Sequence, residues 1–234
     1  EHIIGQPQPP RQHEQEDQRH RQRVAQVARR IIGEVAGEEM EVQQRTESLA
    51  ALNAELTMLA TIDELTRLPN RREWQLKASQ AVLQARRYQK PLSIMMIDVD
   101  HFKQINDHYG HLTGDVVLKT IATICKQNIR GPDSAARWGG EEFVILLPET
   151  NESQALMVAE KIRHAISQAT HTSFDQQTFN VTVSLGVTAL LPSDNTLDEL
   201  LSRADQAMYS AKAAGRNCVQ SSQTFSTHYL QQKT

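Results

Sequence analysis

The chain has 234 residues and carries 25 Lys+Arg against 28 Asp+Glu, a formal net charge of −3. This near-balance argues against an obligate nucleic-acid binder, which shows a basic excess. No apolar run reaches the ~20 residues that a bilayer-spanning helix needs. Two cysteines, Cys125 and Cys218, are too few for a disulfide scaffold and point to a reducing, cytoplasmic compartment.

Residues 1–20 are rich in Gln, Pro, His and charge and read as a disordered or frayed segment. The first residue is not Met, so Glu1 reads as a cut within a longer protein, with any upstream sensor or membrane anchor left open. Residues 21–62 read as a helical linker. Val35, Val42, Leu49 and Leu56 recur every seven residues, with Ile31, Leu52 and Leu59 at the complementary position. Such a stripe needs cover, and a coiled-coil homodimer is expected in preference to a helix folded back on its own domain. Glu38 and Arg45 interrupt the complementary position and suggest a weak or switchable coil.

No aromatic residue precedes Trp74, so the core begins near residue 70. A helix is predicted over 71–88, and the continuous apolar run Leu92–Val99 predicts a buried strand. A helix over 115–129 follows, then strands at 135–138 and 143–147 around a Gly139-Gly140 turn. The chain continues with a helix over 152–168, N-capped by Asn151, and an alternating strand over 179–190. Thr196 and Glu199 form a capping box for a last helix that stops at Gly215, and a short strand at 217–219 closes the domain. The predicted class is α+β: a ferredoxin-like or palm-type βαββαβ core, helices packed on one face, with an added C-terminal helix and short strand, preceded by the long N-terminal helix. The globular domain is placed at 63–221, followed by a polar tail at 222–234.

Three clusters carry chemistry. Asp98 and Asp100 end the buried strand, where carboxylates must face an opening. Such acids suit Mg²⁺, which is held by one or two carboxylates plus substrate phosphates, and Lys103 can meet a phosphate; the plainer reading is a solvated strand end. Gly139 and Gly140 leave a hairpin tip bare of side chains, so a ligand can approach the backbone, and Glu141 follows directly. In a βαββαβ sheet the first strand lies beside this hairpin, which brings Asp98 and Glu141 within reach of one metal. Lys212 and Arg216 flank a helix C-terminus, where complementation of the helix dipole is the ordinary explanation. The histidines, among them His13, His101 and His171, show no zinc-ligand spacing.

Together these segments resemble the GGDEF-domain diguanylate cyclases. The resemblance runs from Asp63 to about Val219 and rests on separated motifs in the right order. They are Asp63-Glu64-Leu65-Thr66-Arg67-Leu68-Pro69-Asn70-Arg71-Arg72, the stretch Asp98 to Asp107 with Gly110-His111 and Gly114-Asp115, the signature Gly139-Gly140-Glu141-Glu142-Phe143, then Val183 to Val187, Ala204-Asp205 and Lys212 to Asn217. Arg67 stands where the family often has Gly. The resemblance implies a homodimeric enzyme that joins two GTP into cyclic di-GMP with release of two pyrophosphates. It implies Mg²⁺, or Mn²⁺ in its place, two ions per half-site, held by Asp98, Glu141 and the Val99 carbonyl. It makes Asn106 and Asp115 guanine readers. His101, Phe102, Lys103, Lys212 and Arg216 then hold the β- and γ-phosphates, and Gly139-Gly140 receives the α-phosphate. Glu141 assists deprotonation, with Glu142 in support.

Arg130 and Asp133 lie where the family places a product-inhibition site, with Lys161 and Arg163 as secondary contacts; by itself Gly131-Pro132-Asp133 is also strong turn chemistry. The alternative function is a catalytically weak module that only senses cyclic di-GMP. It is disfavoured because Asp98, Glu141, Asn106 and Asp115 are all present.

Overall fold

A computed structural model describes residues 61–222 continuously, together with 39–49 and positions 21, 23, 26, 29, 33, 35–37 and 52. The chain divides into two compact units, Glu1–Ala60 and Thr61–Thr234.

In the first unit residues 39–49 are helical (α1), and Arg45 pairs with Glu41 one turn away at 2.7 Å. The heptad residues Val35, Val42, Leu49 and Leu52 are helical and each about half or more exposed. Ile31, Leu56 and Leu59 of the expected coil lie outside the described residues, as do the expected frayed segment 1–20 and nearly all of the polar tail.

The second unit runs α2 (Arg71–Tyr88), β1 (Leu92–Val99), α3 (Phe102–Tyr109), α4 (His111–Gln127), β2 (Ser134–Arg137), β3 (Glu142–Pro148), α5 (Glu152–Gln168), β4 (Thr170–Thr172), β5 (Thr178–Asn180), β6 (Val183–Ala189), α6 (Leu197–Ala213) and β7 (Val219–Ser221). The main sheet has the order β2-β3-β1-β6-β7. β1 is antiparallel to both β3 and β6, while β7 adds in parallel to β6. The first four strands and their two crossovers form the predicted split βαβ core.

Helices cover both faces of the sheet rather than one. Met95, Ile97 and Val99 point to a core shared with Val117, Ile121 and Cys125 of α4 and Ala159 and Ile162 of α5. Ile94 and Met96 point to the opposite core, with Trp74 and Ala78 of α2 and Leu200, Ala204 and Met208 of α6. Every residue of β1 is therefore buried, which explains the unbroken apolar run. Close approach of α6 depends on Gly186 in β6: a Cβ there would lie 2.1 Å from the Ala204 carbonyl and 2.2 Å from the Met208 nitrogen. This contact of helix backbone on sheet backbone sets where the end of α6, with Lys212, meets the tip of β1.

Caps follow the sequence signals. The Asn151 side chain accepts from the Gln154 amide in a full capping box. Thr196 accepts from the Glu199 amide, but the Glu199 carboxylate accepts from Asn195 rather than from the cap itself. The strand expected over 179–190 is split. Its first residues belong to β5, which pairs with β4 in a separate two-stranded hairpin. This hairpin stacks on α3 through Phe179 and Tyr109, whose rings lie 4.2 Å apart and nearly parallel.

Candidate active site

Asp98 stands at the end of β1, opposite Glu142 of β3 and Ser184 of β6. Alternation along the strands sends Asp98, Glu142 and the apolar residues Met96 and Val144 to the α6 face. There the Lys212 ammonium pairs with Asp98 Oδ2 at 2.8 Å. Asp98 is nearly buried, and burial pushes its carboxyl above the usual range, although Lys212 and Arg216 oppose this and Asp100 adds to it. Glu141 is likewise pushed up by burial and then by the Asp98 charge. Glu142 is raised by burial, by Asp98 and by Asp205 of α6. Mutual repulsion among Asp98, Glu141 and Glu142 places the acids in one field, with Lys212 as their shared counter-charge. The Val99 amide donates to the Glu141 carbonyl at 3.3 Å, so the two backbones that flank the acids are joined.

Among the described residues no group of three or more Asp, Glu, His or Cys side chains could hold a metal ion unaided. Two carboxylates and a backbone carbonyl nonetheless match a hard cation that takes its remaining oxygens from phosphates and water. Asp98, Glu141 and Val99 fit that donor set, and their raised carboxyls are what a cation between them would relieve.

The Gly139-Gly140 tip is held from beneath by Arg137. Its guanidinium donates to the Gly139 carbonyl at 3.2 Å, to the Gly140 carbonyl at 2.7 Å and to both carboxylate oxygens of Asp63, at 3.3 and 3.2 Å. Asp63 also accepts from the Thr66 amide and hydroxyl, and these bonds hold its carboxyl below the ordinary range despite burial. Neither tip glycine has a positive φ, and a Cβ on Gly140 would meet nothing within 4 Å. Backbone conformation and local packing thus leave Gly140 unexplained, whereas an open approach for a ligand explains it.

On the other side of β1, α3 starts at His101, which adopts a left-handed conformation and offers no side-chain cap. The first-turn amides of α3 thus lack a side-chain cap, and an uncapped helix start is suited to anions. Asn106 on α3 meets Gly114 of α4, next to Asp115. Asn106 Oδ1 is buried with no hydrogen-bond partner, and a Cβ on Gly114 would lie 2.0 Å from it. Asn106, with its orphaned acceptor, thus lies against the residue that precedes Asp115.

Asp100 differs from the sequence reading. It is buried, and it accepts from Thr182 Oγ1 at 2.7 Å, Ser184 Oγ at 2.7 Å and the Asn217 amide at 3.0 Å. Its oxygens bind the fold rather than a cation.

Arg130 and Asp133 do adjoin. The Arg130 amide, Nε and Nη2 all donate to the Asp133 carboxylate, and Nη2 reaches Thr150 Oγ1 at 2.8 Å. The motif is both a closed turn and an exposed guanidinium. Lys161 is exposed on α5. Arg163 donates to Glu160 at 2.7 Å and to Asn217 Oδ1 at 2.7 Å, in the turn after α6.

Sequence reasoning assigned no role to Arg137, Asp63 or Asp205. Asp63 sat within the quoted opening motif, and Arg137 immediately precedes Trp138 at the hairpin, but their pairing spans 74 residues. Asp205 joins Glu142, Arg71, Trp138 and Asp198 around a recess of about 360 Å³.

Residues 60–218 match the family model described as "Diguanylate cyclase, GGDEF domain". The response regulator PleD of Caulobacter vibrioides is 43% identical over 162 residues, covering 69% of this chain and 36% of PleD. Diguanylate cyclase A of Treponema denticola is 37% identical over 187 residues, covering 77% of this chain and 50% of that protein. The chain thus spans half or less of the length of these two relatives. Among solved structures, the GGDEF domain of DgcB from Caulobacter crescentus in complex with c-di-GMP superimposes with a TM-score of 0.67 at 33% identity, covering 70% of this chain and 93% of that one.

Proposed function

Because this chain belongs to the GGDEF-domain diguanylate cyclase family, we propose that it condenses two GTP into cyclic di-GMP, releasing two pyrophosphates, as a homodimer with one GTP per half-site. The observation that carries this reading is the convergence of Asp98, Glu141 and Glu142 on one field with Lys212, beside a bare glycine tip.

Asp98, Glu141 and the Val99 carbonyl would hold Mg²⁺, which supplies charge neutralisation at the α-phosphate and leaving pyrophosphate and acidifies the attacking hydroxyl. Asn106 and Asp115 orient guanine: a carboxylate accepts from N1–H and the 2-amino group, and an amide offers both donor and acceptor. Adenine has no N1–H for Asp115, so GTP is favoured over ATP. The amides at Phe102 and Lys103, with the Lys103, Lys212 and Arg216 side chains, receive the β- and γ-phosphates. Gly139 and Gly140 admit the α-phosphate. The 3′-hydroxyl of the partner's GTP then forms the new P–O bond, the bond to pyrophosphate breaks, and the hydroxyl proton passes to Glu141. Positioning and charge neutralisation carry most of the rate.

The nucleophile and the electrophile arrive on different subunits. The heptads at Val35, Val42 and Leu49 support dimerisation through the N-terminal helix, and specific activity that falls on dilution checks it. Arg130 and Asp133, with Lys161 and Arg163 of α5 as secondary contacts, are proposed to bind the product and inhibit. Among the described residues no helix is long and apolar enough to cross a membrane.

Incubation with GTP and Mg²⁺, followed by chromatography, tests the activity. Cyclic di-GMP with two equivalents of pyrophosphate supports it. Binding of cyclic di-GMP without turnover of GTP would leave only the sensor.

A further inference from the structure

The turn after α6 is strained where it carries Arg216. Arg216 and Asn217 are consecutive non-glycine residues in the left-handed region, with φ of 66° and 45°. Asn tolerates this conformation and Arg does not favour it, so such a pair persists only where its surroundings over-determine it. Two groups from elsewhere in the chain do so here. Asp100, anchored to the sheet by Thr182 and Ser184, accepts from the Asn217 backbone amide at 3.0 Å. Arg163 on α5, braced by Glu160, donates to Asn217 Oδ1 at 2.7 Å. Asn217 is thus gripped by main chain and side chain at once, from β1 and from α5. The preceding residue, Arg216, is exposed.

We infer that Asp100 and Arg163 are positioning residues for the nucleotide's terminal phosphates: they lock the left-handed turn at Asn217 and so aim Arg216 at the pyrophosphate end of the substrate. This rests on the proposed cyclase reading and adds to it two residues that touch neither substrate nor metal. Asp100 acts as an acceptor hub rather than as a second metal carboxylate. Arg163 acts from the helix opposite α6, which links the tilt of α5 to the phosphate arm.

The test compares dissociation constants for GTP and GMP at fixed Mg²⁺ in the full chain. Asp100→Ala is expected to weaken GTP about tenfold and GMP by less than about twofold, because GMP lacks the phosphates that Arg216 meets. Asp100→Asn restores most of the loss: its amide oxygen still accepts from Asn217 while its amide nitrogen donates to Ser184. In an Arg216→Ala background, Asp100→Ala costs less than about twofold on GTP. If Asp100→Ala does not fold, Arg163→Ala decides by the same comparison, with GTP weakened roughly threefold and GMP unmoved, since this side chain is partly exposed and only braces the turn. Equal weakening of GTP and GMP, or an undiminished loss in the Arg216→Ala background, would overturn the inference. A wild-type chain that binds GMP as tightly as GTP would instead overturn the placement of Arg216 on phosphate.

Discussion

A Cβ at Gly114 would lie 2.0 Å from Asn106 Oδ1 and 3.2 Å from the Phe102 ring. The smallest residue of α4 therefore makes the seat for an amide on α3. Gly114→Ala must displace Asn106, because the helix backbone cannot retreat. The expected outcome is a drop of about tenfold in kcat/KM for GTP and a narrowed preference for GTP over ATP, with the far-ultraviolet circular dichroism spectrum retained. Unchanged nucleotide preference would remove Asn106 from base recognition.

Lys212 holds down the carboxyl pKa values of both Asp98 and Glu141 against burial. Without that cation, both acids stay protonated to higher pH. Lys212→Met should shift the acid limb of the pH–activity profile upward, beyond any loss at the optimum. An acid limb that stays in place would show that these carboxyls do not govern the profile.

Glu142 is raised by burial and by its neighbours, so its charged form opposes folding. A carboxyl whose folded pKa exceeds its unfolded value contributes stability below the unfolded value and loses it as pH rises through the folded one. Glu142→Gln is therefore expected to raise Tm at neutral pH while lowering activity, and the gain should vanish as pH falls below the ordinary glutamate range. Solvent reaches this side chain, so the rise is small, roughly 1–3 °C. A fall in Tm at neutral pH would contradict the sign.

Arg67 has φ of 58° in the turn closed by Asp63 and Leu68. Gly relieves the left-handed penalty of about 1–2 kcal/mol but adds roughly 0.5–1 kcal/mol of unfolded-state freedom. Arg67→Gly should leave stability level or raise it by up to about 1 kcal/mol, with activity unchanged. Denaturant titration checks this, and a loss of stability would mean that the arginine side chain holds the loop.

Arg130 already chelates Asp133, so product must exchange with internal bonds at Nε and Nη2. Arg130→Ala should raise the cyclic di-GMP concentration for half inhibition by about tenfold or more, with little effect on the initial rate. An unmoved inhibition curve would reassign the motif to a turn.

The parts of the fold with strong periodicity were legible in the residues. Leu92–Val99 announced a buried central strand, and Asn151 and Thr196 announced their helices. Cover on both faces was implicit in the unbroken apolar run, yet α2 and α6 show it only once packed. α3 escaped because its eight residues, Phe102–Tyr109, bury only Phe102. The β4–β5 hairpin escaped because three-residue strands carry too few alternations to register. At the site, Asp98 and Glu141 were readable as a pair because strand order brings them together. The roles of Asp100 and Arg163 were not: their bonds to Thr182, Ser184 and Asn217 span 54 to 117 residues, and spacing along the chain holds no trace of them.

The most direct measurement is cyclic di-GMP formation from GTP by Asp98→Asn, Glu141→Gln and the double variant, each at wild-type concentration with saturating Mg²⁺. The account predicts that each single change lowers the rate by about a thousandfold or more and that the double change is hardly worse, since the two acids act as one unit. Near-wild-type output from either single variant would contradict it.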